Sequence, residues 1–302
     1  MAVVSSVRGL FPAPDPRQAV AAPLDGTGGA ARATSRDCNR SDRFPARRAG
    51  SVADVPAPGS LGLPDSVRVC LFDLDGVLTR TATVHMAAWK RTFDEFLRVH
   101  ERGAPEFSQL DYNRFVDGKP RADGVRDFLA SRKIVLPEGS PGDPSDAATV
   151  QGIASRKNVL VLAELEEHGV EVYPGSVSYL KAVKEAGLAT AVVTASANGE
   201  QVIGAAGFAD LIDVRVDGVV AAREGLRGKP APDTFLAGAR LLGADPAEAV
   251  VFEDAISGVA AGRAGNFGYV VGVDRVGHAD ELAANGADVV VQDLSELLGA
   301  GA

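Results

Sequence analysis

From about residue 170 onward the chain alternates between short, β-branched apolar runs and helix-like stretches. The apolar runs are 188–193, 213–216, 249–252, 269–273 and 288–291. Helical patterns at 177–186, 199–206, 234–242, 257–264 and 279–285 lie before and between them, with Gly187 and Gly265-Asn266 as stop signals. Strands that alternate with helices cannot pair through hairpins. They need crossover connections, which lay them parallel in one sheet with helices on its faces. An earlier run, Val67-Arg68-Val69-Cys70-Leu71-Phe72, has the same buried-strand character and ends in Asp73-Leu74-Asp75-Gly76. The expected fold class is therefore α/β, a Rossmann-like parallel sheet.

Residues 80–168 break the alternation. Trp89, Phe93, Phe96 and Leu97 recur at i, i+4, i+7 and i+8, one face of a helix. Val125, Phe128 and Leu129 open a second helix, and 158–167 reads as a third. A polar, Pro/Gly-containing loop covers 137–146, and no buried strand is expected in this stretch. It reads as a helical insertion after the first strand, which gives a core of 66–82 plus 169–298 and an inserted α-helical domain of 83–168.

Residues 1–64 form a third compositional zone. They hold eight Arg and five Asp, no Lys and no sustained apolar periodicity, so they bury too little apolar surface to offset ordering entropy and are expected to be a disordered tail. The whole chain carries 31 basic against 40 acidic residues, net −9, which argues against nucleic-acid or anionic-membrane partners. No apolar run reaches the ~18 residues of a membrane helix. Cys38 and Cys70 offer neither disulfide nor zinc spacing, so a cytoplasmic location is expected, with Cys70 as a small core hydrophobe.

In open α/β sheets, ligands sit beyond the carboxyl ends of the strands. Asp73 and Asp75 follow the first strand, Thr194-Ala195-Ser196-Ala197-Asn198 the second run, and Glu253-Asp254 the run at 249–252. Lys229 precedes a helix in Gly228-Lys229-Pro230. Singly, each has an ordinary reading: a turn, a helix cap, a solvated loop or a partner for a helix dipole. Together, four acids at one sheet edge would repel one another unless a cation joined them. Mg²⁺ takes oxygen ligands and keeps room for a phosphate, while Lys229 and Thr194 could bind the same phosphate.

These four elements, in this order, resemble the haloacid dehalogenase superfamily of phosphotransferases, in particular its members with an α-helical cap after the first strand. The resemblance covers 66–298. It implies Asp73 as a nucleophile that forms an aspartyl phosphate, and Asp75 as general acid/base. It also implies Mg²⁺ held by the Asp73 carboxylate, the Asp75 carbonyl and Asp254, with Glu253 beside it. Thr194 and Lys229 would steady the transferring phosphoryl group.

A narrower resemblance is to the β-phosphoglucomutases. It rests on Asp73-Leu74-Asp75-Gly76-Val77-Leu78-Thr79-Arg80-Thr81 followed by His85, Trp89 and Lys90. It also rests on Asp117-Gly118-Lys119-Pro120-Arg121, Arg156-Lys157-Asn158, Val172-Tyr173-Pro174-Gly175 and Ser196-Ala197-Asn198. It implies a small phosphorylated sugar as substrate, with His85, Trp89, Lys90, Gly118, Arg121, Lys157, Asn158, Ser196 and Asn198 as binding residues. A monomer that moves phosphate between positions of glucose is then expected; a sugar-phosphate phosphatase on the same scaffold is the alternative. A non-catalytic phosphoacceptor is a third reading, disfavoured because it has no need of Asp75. Arg80 in place of an acid, Gly124 in place of a hydroxyl residue, Ala255 in place of Ser and the 137–146 loop depart from the pattern.

Overall fold

A computed structural model describes residues 58–100 and 103–299. Six strands form one parallel sheet: β1 Val69–Phe72, β2 Ala189–Val193, β3 Val214–Val216, β4 Ala249–Glu253, β5 Tyr269–Val273 and β6 Val289–Val291. Their spatial order is β3-β2-β1-β4-β5-β6. β1 is central, with Val69 opposite both Ala189 and Ala249, and Phe72 opposite Val192 and Phe252. Because β2 leaves it on one side and β4 on the other, the sheet's switch point falls at its carboxyl end, where a crevice opens.

Period-2 alternation sorts the strand residues into two apolar layers. Cys70, Phe72, Val192, Val250 and Phe252 face Tyr179, Leu180 and Val183 of the helix Pro174–Glu185. Leu71, Val193 and Val251 face Phe235 of Asp233–Leu241 and Val259 of Ile256–Ala264. Phe72 stacks on Phe252 at 4.4 Å, and burying a side chain of this size stabilises the fold by about 1.5–3 kcal/mol. Cys70 is fully buried, and that burial pushes its thiol far above the usual range; it is inert packing.

The segment after β1 is helical among its described residues: Thr81–His100, a π-helical turn Tyr112–Val116, Arg121–Ser131 and Val150–His168. It has an apolar centre of its own, built on Trp89, Phe93, Phe107, Phe128 and Ile153. Phe93 lies 4.1 Å from Phe128 and 5.0 Å from Trp89, centroid to centroid.

Three features differ from the sequence reading. Ordered structure begins before residue 64: Leu61 and Leu63 are buried in the sheet's core, and the Leu61 carbonyl accepts a hydrogen bond from Tyr179 Oη at 2.9 Å. Two leucines in a Pro/Gly-rich run leave no periodic trace. The rest of the expected tail, residues 1–57, lies outside the described residues. The helix expected at 158–167 begins at Val150, because Thr149 caps it by accepting from Gly152 N at 2.9 Å. A further helix, Gly218–Glu224, is held by Asp217, whose buried carboxylate accepts from Val219 N and Val220 N. No helix of the described residues is long and apolar enough to cross a membrane.

Candidate active site

The turn after β1 points Asp73 and Asp75 into the crevice. Asp73 N donates to Phe252 O at 2.9 Å, continuing the β1–β4 pairing, and Gly76 N donates to Thr79 O at 2.7 Å to close the turn. Gly76 has φ +96°, and a Cβ there would fall 1.8 Å from Asp254 Oδ2. Only glycine lets this backbone approach the second acidic loop.

Lys229, buried to 3% exposure, is the charge centre. Its Nζ donates to Asp73 Oδ1 at 2.6 Å, Glu253 Oε1 at 2.5 Å and Val193 O at 3.3 Å. Burial alone would lower its pKa, but the Asp73 and Glu253 carboxylates reverse that and push it up, so it stays an ammonium. The other Glu253 oxygen accepts from Ala255 N at 2.8 Å. Glu253 is thus fully committed to holding Lys229 and the β4 loop. Asp75 is aligned by hydroxyls: Thr81 Oγ1 donates to its Oδ1, and Thr194 Oγ1 to its Oδ2 at 3.1 Å. Ser196 N donates to Thr194 Oγ1 at 3.0 Å, fixing that hydroxyl.

Asp73, Glu253 and Asp254 offer oxygens that all lie within 4.8 Å of one another. Burial raises the carboxyls of Asp73 and Asp254 well above the usual range; Lys229 partly offsets this at Asp73, and the neighbouring Asp117 adds to it at Asp254. No described residue donates a hydrogen bond to Asp254. The second Asp73 oxygen and the Asp254 carboxylate are therefore the donors left for a cation. A hard, all-oxygen set fits Mg²⁺. Of the four residues expected at the metal, Glu253 stands beside the set, and the Asp75 carboxylate is taken, leaving only its main-chain oxygen for such a role.

Opposite this edge, helices of the insertion supply cations. Lys157 Nζ, buried to 2% exposure, donates to His85 Nδ1 at 2.8 Å and lies 5.1 Å from the Trp89 ring centroid. His85 Nε2 is 3.5 Å from Asp75 Oδ1. These partners favour the Nε2–H tautomer of a neutral ring, and burial followed by repulsion from Lys157 lowers its pKa to about 4. Burial, then Arg121, lowers Lys157 to about 7. Arg121 Nη1 reaches only Ala154 O, at 3.5 Å, which leaves most of its guanidinium donors for an anion.

One cleft is lined by Asp73, Asp75, His85, Trp89, Gly118, Arg121, Lys157, Asn158, Thr194, Ser196, Asn198 and Asp254. Two hydrogen bonds bridge its walls. Asn198 Nδ2 donates to Asn158 Oδ1 at 3.0 Å, and Ser257 Oγ to Asp117 O at 2.7 Å.

Lys90 is not part of this cleft, contrary to the expectation. Its Nζ bonds Asp94 Oδ2 and Glu106 Oε2, both at 2.8 Å, and Phe107 O at 3.2 Å. One residue along a helix rotates a side chain by about 100°, so Lys90 faces away while Trp89 faces in.

Several residues at the site carried no role in the sequence. Asp117 sits in the loop before Arg121, hydrogen-bonded to Tyr112, and burial followed by Glu253 raises it to about 7. Arg275 clamps the turn after β1, donating from Nε to Gly76 O at 2.9 Å and from Nη2 to Val77 O at 3.3 Å; its guanidinium stacks 3.6 Å from the Tyr173 ring centroid. Among the departures, Gly124 lets helix Arg121–Ser131 close on Val116, since a Cβ there would be 3.1 Å from Val116 Cγ1. Arg80 lies over the Tyr173 ring at 4.6 Å.

A parallel sheet with an aspartate turn, a buried lysine and a Glu-Asp pair at one edge defines a class, and the comparisons agree. The chain belongs to the haloacid dehalogenase-like hydrolases, whose family pattern matches residues 67–266. Within them it is a homologue of the β-phosphoglucomutases. It is 53% identical over 246 residues to the β-phosphoglucomutase of Mycobacterium bovis, an alignment that covers 79% of this chain and 94% of that protein. It is also 30% identical to hexitol phosphatase A of Escherichia coli, over 75% of this chain and 91% of that one. The crystal structure of β-phosphoglucomutase from Clostridium difficile superposes with a TM-score of 0.60 at 26% identity, covering 76% of this chain and 93% of that one.

Proposed function

We propose that this chain is a β-phosphoglucomutase: it converts β-glucose 1-phosphate to glucose 6-phosphate through an aspartyl phosphate on Asp73. The observation that carries the reading is positive charge on both sides of one cleft. Asp73 lines one wall with the buried Lys229 against it, and Arg121 and Lys157 line the other. A bisphosphate intermediate needs both.

The free oxygen of Asp73 attacks phosphorus as a carboxylate, the Lys229 ammonium against its other oxygen favouring the charged form. Lys229 neutralises charge on the transferring phosphoryl oxygens, while the Thr194 hydroxyl orients Asp75. Asp75, held by Thr81 and Thr194, takes the proton of the sugar 6-hydroxyl as that oxygen attacks phospho-Asp73, and gives it back when the bisphosphate has turned over. A Mg²⁺ bound by Asp73 and Asp254, with the Asp75 carbonyl, would supply charge for the phosphoryl oxygens. Residues 83–168 act as a cap over the 66–82 and 169–298 core, and closure keeps water from phospho-Asp73. A small phosphosugar, a cytoplasmic site of action and a monomer belong to the same proposal.

The test is product analysis after incubation with β-glucose 1-phosphate, Mg²⁺ and a trace of glucose 1,6-bisphosphate. Glucose 6-phosphate is the expected product. Inorganic phosphate without glucose 6-phosphate would instead identify a phosphatase, the activity named for the E. coli relative.

A further inference from the structure

Asp117 is an acid carried by the insertion, yet it faces the acids of the sheet edge. It lines the substrate cleft with Asp254, and also lines a second cleft behind it, again with Asp254. Its loop is seated tightly: Ser257 Oγ donates to Asp117 O at 2.7 Å, and a Cβ on Gly118 would come within 2.5 Å of that same Ser257 oxygen. The π-helical turn Tyr112–Val116 ends at Asp117 and delivers it to this spot. Bringing the insertion down therefore drives one more carboxylate toward Asp73, Glu253 and Asp254, a group whose paired ammonium is Lys229. Like charges brought together in a poorly solvated cleft oppose the motion, and a divalent cation held by Asp73 and Asp254 turns that opposition into attraction.

We propose that Asp117 is a positioning residue that makes closure of the insertion depend on occupancy of the metal site. With the site empty, Asp117 holds the insertion off; with a divalent ion bound, it draws the insertion down over the cleft before substrate arrives. This rests on the Mg²⁺ site proposed above. By reciprocity, the closed insertion must also tighten the ion.

Trp89, the sole tryptophan of the chain, lines the cleft and reports closure by its emission. The full chain is titrated with Mg²⁺ alone, without sugar, while Mg²⁺ affinity is measured by calorimetry. The wild-type protein is expected to shift its emission to the blue as Mg²⁺ binds. Asp117→Asn and Asp117→Ser are expected to bind Mg²⁺ about tenfold more weakly, the loss of one nearby charge. Both are also expected to show the blue-shifted emission already without Mg²⁺. A Mg²⁺ affinity unchanged in both variants, or metal-free emission that matches wild type, overturns the proposal. Failure of the wild-type protein to bind Mg²⁺ overturns the metal site itself, and this inference with it.

Discussion

At the scale of single residues, the site is governed by two lysines in opposite circumstances. Lys229 is paired with Asp73 and Glu253 in a dry setting, so Lys229→Met leaves two buried carboxylates without a counter-charge. It is expected to lower the unfolding free energy by about 3–5 kcal/mol, read from urea denaturation, and to abolish turnover. Lys157 has no carboxylate in direct contact; its partners are His85, Trp89 and the nearby Arg121. Its pKa is lowered from the ordinary lysine value to about 7, so below pH 7 the free enzyme carries the charge and above it the charge is lost. KM for the phosphosugar is therefore expected to rise as pH climbs through about 7. Lys157→Met should raise KM roughly tenfold at pH 6 and abolish that further rise. The same shift acts on folding. Between pH 7 and the ordinary lysine pKa the unfolded chain binds the extra proton, so this group's contribution to stability improves as pH rises across that window.

At the scale of elements, the Asp73–Gly76 turn is stiffened from outside. Arg275, beyond β5, bonds two carbonyls of the turn and Ser176 Oγ, and stacks on Tyr173. Arg275→Ala is expected to cost about 2 kcal/mol of stability by thermal or urea melting, the loss of charge-assisted hydrogen bonds and a cation–π contact. Most elements were legible in the sequence because burial imposes a period. β4 and β5 are apolar runs of sheet-core type, and Thr81–His100 displays its Trp89-Phe93-Leu97 face directly. The gathering of the site residues was legible for a different reason: the aspartate turn, the hydroxyl, the lysine and the acid pair each follow or precede an element at a fixed place in the order. Illegible features were set by pairs distant in the chain. Tyr179 meets Leu61 across 118 positions, and Arg275 meets Gly76 across 199. Lys90 was misplaced because adjacency to Trp89 in a motif says nothing of helical phase.

At the scale of the whole molecule, the two walls of the cleft are fastened by few bonds among the described residues, which suits the closing motion proposed above. Asn158→Ala removes the Asn198–Asn158 link without touching Asp73 or Asp75. It is expected to raise the ratio of inorganic phosphate to glucose 6-phosphate several-fold, measured in one reaction, because water then competes with the sugar for phospho-Asp73.

The lead-in before β1 bears on how the protein is handled. Leu61 and Leu63 plug the underside of the sheet, and Tyr179 hangs its hydroxyl on the Leu61 carbonyl. A shortened gene begun at Ser66, where the sequence first looks strand-like, would leave a hollow beneath β1 and strand a phenol in oil. Trimming should stop short of Pro58.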